Sequence, residues 1–260
     1  MSTVATTTTP MRRMGALARA ELTLLGRSKG TLFAALFVPF VIPLSMKQAA
    51  EGMDLEGTGL SVGTVVLPSA LGFSLLFAVY SALTAVYAAR REELVLKRLR
   101  TGELRDHEIL MGAALPSVVI GIVQSLVLVV GCVALLDAGA PNAPHLVVLG
   151  IAAGLVMFAA LAAVTGSFAR SVESAQVLAL PMIFVSMLGS GLFVPFEVMP
   201  DKLAAACELL PLSSVIELVR GGWAGHLSGG DVLAAVATAV VWTLLSVFAV
   251  RRWFRWEPRH

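Results

Sequence analysis

Six long apolar runs divide the chain, at residues 31–49, 60–89, 109–136, 145–169, 175–193 and 232–250. Each is long enough, at about 1.5 Å per residue, to cross the roughly 30 Å hydrocarbon core as a helix. The first carries Pro39 and Pro43, so a kink is expected there. The second is longer than it needs to be and should tilt or begin outside the membrane. Ahead of them, residues 11–30 alternate Met14, Leu17, Leu24 and Leu25 with Arg12, Arg13, Arg19, Arg27 and Lys29. That pattern predicts an amphipathic helix in the membrane interface, serving as a docking surface or as a simple anchor. The first ten residues, small and Thr-rich, read as disordered and lack the apolar core of a signal peptide. The expectation is an all-α membrane protein: residues 1–30 as a cytoplasmic lead-in, and 31–260 as a single six-span domain.

Two stretches break the pattern. Residues 90–105, RREELVLKRLRTGELR, hold six of the nineteen Lys and Arg between two spans. Glu92 and Glu93 come early and Lys97, Arg98 and Arg100 late, as the dipole of one short helix prefers, with Leu96 and Leu99 one turn apart on its apolar side. Residues 194–226, between spans five and six, are too polar to cross and too apolar for a free loop. Pro195, Pro200 and Pro211 cut them into two helical pieces, near 201–209 and 213–223. Asp201 and Ser213 are the expected N-caps, and Gly221–Gly222 the expected stop. The pair reads as re-entrant helices covered by protein.

Charge then orients the chain. Sixteen of the nineteen basic residues fall on one side of the alternating spans, leaving Lys47, Lys202 and Arg220 on the other. The positive-inside rule puts both termini and residues 90–105 in the cytoplasm, with Trp253, Phe254 and Trp256 as an inner aromatic anchor. A mean hydropathy of +0.86 agrees with a bilayer protein, and 260 residues leave no room for a separate catalytic domain.

Candidate chemistry is sparse. LSGGD at residues 227–231 looks like the signature of an ATP-binding cassette, but the chain has no Gly-Lys dipeptide to build a phosphate loop. It reads as a turn with Asp231 capping the sixth span. Ser190 and His226 are the elements of a conceivable intramembrane hydrolase, without a supporting pattern. Cys132, Cys207 and the four histidines match no metal spacing. No Asp, Glu, Lys or Arg occupies the middle of a span, which argues against an ion-coupled carrier. Ser74, Ser81, Thr84, Gln124 and Thr165 read as helix–helix hydrogen bonds, and Gly150-x-x-x-Gly154 as a close-packing face within the subunit or across a dimer.

The chain resembles the permease subunit of type-2 ABC transporters. Arg91-Glu92 followed by LKRLRTGEL is similar to that family's coupling helix between spans two and three. SGLFVPFEVMPDKL…LLPLSSVIELVRG, from Ser190 to Gly221, is similar to its outer re-entrant helices. Leu94-Val95 stands where Gly-Thr is usual, and Glu103 where Pro is usual. The resemblance implies a cargo-conducting subunit of a bacterial inner-membrane exporter for drugs, antibiotics or lipid-like amphiphiles. It implies a separate ATPase subunit that binds the ATP, a second permease copy (the same chain or another), no cofactor in this chain, and no nucleic acid. The implied ATPase contact is Glu92, Glu93, Leu96, Lys97, Arg98, Leu99 and Arg100, with the two leucines filling a groove. The implied outer gate is Pro195, Glu197, Pro200, Pro211, Glu217 and Arg220. The alternative is a membrane scaffold or intramembrane enzyme.

Overall fold

The structure, a computed structural model, describes residues 62–101, 105–135, 139–192, 199–225, 227–254 and 256, with the isolated positions 15, 19, 23 and 26. The expected span at 31–49 and the first ten residues lie outside the described residues. So does most of the expected interfacial helix, of which the four isolated positions are helical and exposed. Among the described residues there is no strand, and five helices are long and apolar enough to span a bilayer.

The first span is built from α1 (Val62–Ser74), a π-helical segment π1 (Leu75–Ser81) and α2 (Ala82–Glu92). A short α3 (Val95–Arg100) follows, then α4 (Asp106–Leu135), α5 (Pro144–Phe168) and α6 (Val172–Gly189). Two shorter helices, α7 (Asp201–Glu208) and α8 (Pro211–Ala224), precede the last span, α9 (Gly229–Trp253).

Residues 90–105 are therefore not one helix. Arg90 and Arg91 belong to the last turn of α2, and Leu94 turns the chain in a left-handed conformation (φ +59°) before α3 begins. Several caps also differ from expectation, because side-chain hydrogen bonds decide helix ends as much as apolar periodicity does. Asp231 is not the cap of α9 but the N3 partner of Ser228; each side chain accepts the other's N–H at 3.2 Å. Ser213 lies inside α8 and donates to the Cys207 carbonyl at 2.6 Å. Pro211 opens that helix, where a missing N–H costs nothing. Pro200, not Asp201, caps α7, and α8 runs through Gly221–Gly222 to stop at Gly225, whose φ of +76° favours glycine.

The axis of the bundle is α5, packed chiefly against α8, α9 and α2. Two of its three glycines face α8: a Cβ on Gly150 would lie 3.0 Å from the Leu218 Cβ, and one on Gly154 3.3 Å from the Val215 side chain. Gly222 meets the start of α5, where its Cβ would lie 3.0 Å from the Ala143 carbonyl. α8 thus runs antiparallel beside α5 from residue 143 to residue 154, about 16 Å or half a hydrocarbon core. The two helix ends close on each other. Ala143 N–H donates to the Gly222 carbonyl at 2.8 Å, and Asn142 Nδ2 to the Trp223 carbonyl at 3.0 Å. Carbonyls that a C-terminus would leave orphaned are satisfied in this way.

Polar groups inside the bundle link the spans through π1. Ser74 donates to Gln124 of α4 at 2.5 Å, Tyr80 shares a proton with Thr165 of α5 at 3.0 Å, and Ser81 donates to Gln176 of α6 at 3.1 Å. Seven positions apart, Ser74 and Ser81 would nearly align on an α-helix. The wider i→i+5 bonding of π1 turns them toward different neighbours.

Candidate functional site

The basic end of the bundle is where α2 and α5 finish and α4 begins. Arg91 is buried there, and its guanidinium donates to the Ser167 carbonyl at 2.6 Å in the last turn of α5. Two features favour the contact: the carbonyls of a helix C-terminus lack partners, and its dipole is negative. The first and third described spans are thereby pinned together at this end.

From this fixed point the chain leaves α2 and enters α3. Glu92 and Glu93 are exposed, and they sit at a helix C-terminus, the unfavourable end for an acid. They also stand immediately before Leu94, the N-cap of α3, where an acid is favoured, so the two helix ends act on them in opposite senses. Lys97, Arg98 and Arg100 occupy the favourable C-terminal turn of α3 and are exposed. Arg100 is partly engaged within the chain: it pairs with Asp106 at 3.0 Å and lies 4.9 Å from the centre of the Trp256 ring.

The apolar side corrects an expectation. Leu96 is fully buried between α3 and its neighbours, so it holds α3 down rather than filling a groove in a partner. Leu99 is half-buried, and Leu94 is 37% exposed at the turn. Leu94 is also the residue that stands where the resembling family has Gly. A left-handed conformation costs an L-residue about 1–2 kcal/mol and glycine almost nothing. Leu94→Gly is expected to raise stability by on the order of 1 kcal/mol, read as an increase in thermal midpoint in detergent. An unchanged or lower midpoint would mean the leucine side chain contributes more than the turn costs.

At the opposite end, the residues expected to form a gate are distributed unevenly. Pro195 and Glu197 lie outside the described residues. Pro200 is an exposed cap, while Pro211 is buried at the start of α8. Arg220 donates to the Gly191 carbonyl at 2.9 Å, joining α8 to the end of α6, and Trp242 of α9 donates to the Leu209 carbonyl at 2.8 Å. Glu217, on the same helix as Arg220, is half-buried. Ser190 is completely buried at the end of α6, and His226, the other element of the conceivable Ser–His pair, lies outside the described residues.

Sequence reasoning missed Tyr80, Tyr87 and Ser167. A signal was present for two of them: the chain has only two tyrosines, and both fall in the same span. Tyr87 donates to the Leu110 carbonyl at 2.9 Å, tying α2 to the first turns of α4.

Comparison with known proteins bears on both ends. The ABC-2 type transporter family matches residues 12–223, which takes in the basic end and α8. YvfS of Bacillus subtilis (strain 168), described as a candidate transport permease, is 33% identical over 108 residues, 40% of this chain. The chain spans 42% of that relative's length.

Proposed function

From the premise that the chain belongs to the ABC-2 type transporter family, we propose that it is the permease of an ATP-driven exporter of amphiphilic cargo, such as a drug, an antibiotic or a lipid. ABC-2 permeases are membrane subunits of transporters and work with an ATPase partner in general. The chain is a multi-pass membrane protein. In this reading it lies in the bacterial inner membrane with both termini cytoplasmic, pairs with a second permease copy, and binds a separate ATPase at α3. α8 is then a re-entrant helix from the outer side, held by Arg220 and forming part of the gate.

The observation that carries the reading is the construction of the basic end. α3 is joined covalently to α2 and α4, its underside is fixed by Leu96, and Arg91 pins α2 to α5. A push on the exposed surface of Glu92, Glu93, Lys97, Arg98 and Leu99 would move three spans as a rigid body. Spans without mid-span charges, cross-linked by hydroxyl and amide groups, suit an amphiphilic cargo better than an ion.

Pull-down of the tagged chain from its own membranes, followed by ATPase assay in nanodiscs, tests this. A protein with Walker motifs is expected to co-purify. Leu99→Asp is expected to lose most of that protein while leaving the thermal midpoint of the permease within a few degrees. Recovery of no ATPase with the wild-type chain would sink the exporter reading in favour of a scaffold.

A further inference from the structure

We propose that the basic end carries a binding site for one anionic phospholipid, its acyl chain lying in a groove between α4 and α5. α4 and α5 are consecutive, yet α5 packs chiefly on α8, α9 and α2 and leaves its seam with α4 open. The opening is a cavity of about 420 Å³, walled by Met111 and Leu115 on one side and by Ala159, Ala160 and Ala163 on the other. Met111 and Val156, both lining it, are 58% and 59% exposed, so the groove opens sideways to the bilayer.

Inside, the groove has nothing to offer a polar ligand. The Tyr87 hydroxyl that lines it is already bonded to the Leu110 carbonyl. An alkyl chain fits that surface. The mouth differs. His107 lines it from the first turn of α4, and Val250 lines it from α9, immediately before the exposed Arg251 and Arg252. The acids on either side of His107 are engaged within the chain: Asp106 by Arg100 and Glu108 by the Arg105 N–H at 2.7 Å. Phe254 packs on Tyr87 and Trp256 lies against Phe254, which sets an aromatic pair beside the opening. Exposed cations one and two residues beyond the lining of an apolar slot, with an aromatic border, match a phosphate headgroup at the end of its acyl chain.

The chain supplies an internal comparison. A second groove of about 370 Å³ continues the seam, sharing Leu155, and ends at Pro141, Pro144 and Trp223, with no histidine lining it and no Arg or Lys within two positions of any lining residue. It should take an acyl chain without regard to headgroup charge. The proposal does not depend on ATP-driven export, because binding is measured on the permease alone.

The test is quenching of tryptophan fluorescence by bromine-labelled acyl chains in detergent micelles, comparing phosphatidylglycerol with phosphatidylcholine. Wild type is expected to show the quenching component from Trp253 and Trp256 at roughly 25-fold lower phosphatidylglycerol than phosphatidylcholine. Arg251→Gln with Arg252→Gln should erase that preference, by on the order of fivefold for each arginine. Ala160→Phe should fill the slot and weaken both lipids there. Arg251→Lys with Arg252→Lys should keep the preference, and excess free glycerol phosphate should not compete. Equal quenching by both lipids in wild type would overturn the proposal. So would a preference that survives the glutamine pair, or one abolished by free glycerol phosphate, which would indicate a soluble anion. Should Ala160→Phe fail to fold, the two arginine pairs at the exposed end of α9 still decide.

Discussion

Arg91→Met is expected to lower the stability of the chain by about 2–3 kcal/mol and, in the exporter reading, to separate ATP hydrolysis from transport. The magnitude comes from the kind of bond lost. A hydrogen bond from a charged donor contributes about 1.5–3 kcal/mol, and here the carbonyl left behind lies beside a buried side chain at a helix C-terminus. Methionine matches much of the apolar length of arginine, so the loss should come from the polar contact more than from a void. Arg91→Lys keeps the charge but not the planar fork, and should recover only part of the stability. The functional split follows from position. Arg91 joins α2 to α5, while the surface of α3 that faces outward lies beyond it. ATPase co-purification and basal hydrolysis should survive, and cargo movement per ATP should fall at least several-fold. A variant with wild-type midpoint and wild-type transport per ATP would show that the α2–α5 tie carries no motion.

The five described spans were legible because each is an apolar run of ordinary length, and nothing but a helix can satisfy its backbone in lipid. What the sequence hid was local. Nothing in RREELVLKRLR marks the turn at Leu94, since leucine is a good helix former and its left-handed φ is imposed by how α3 folds back onto α2 and α4. Arg91 read as one more positive-inside charge, although it is buried against Ser167, a residue 76 positions away. Leu96 and Leu99 looked equivalent by spacing, and only packing separates the buried one from the half-exposed one. The hydroxyl and amide intruders were recognised as interhelical bonds, but their pairing needed π1, which no composition signal announces. The GxxxG face was visible as such, and its partner α8 was not, because close packing says how near another backbone comes and not whose it is.

That close approach sets the other large expected effect. Gly150→Val is expected to destabilise the chain by about 3 kcal/mol, the upper part of the usual overpacking range. The added Cβ would meet the Leu218 Cβ at 3.0 Å and the Val215 carbonyl oxygen at 3.3 Å, atoms fixed to the backbone of α8 that cannot swing aside. Gly150→Ala should still cost stability, because the clash must be set against a gain of only about 1 kcal/mol from replacing glycine in a helix. Gly154→Ala should come out closer to neutral: its tightest contact, 2.7 Å, is with the terminal Leu75 Cδ1, which can rotate away. Gly230→Ala, in the first turn of α9 with only the Ser228 hydroxyl at 3.6 Å, should be neutral or stabilising. The order of thermal midpoints, Gly230→Ala above Gly154→Ala above Gly150→Ala above Gly150→Val, checks the geometry as a set. In the exporter reading Gly150→Val wedges α8 from α5 at the end away from α3, so the ATPase should still bind while export is lost. If Gly150→Val instead released the ATPase and kept its midpoint, α8 would not be the rigid half-span on which that reading depends.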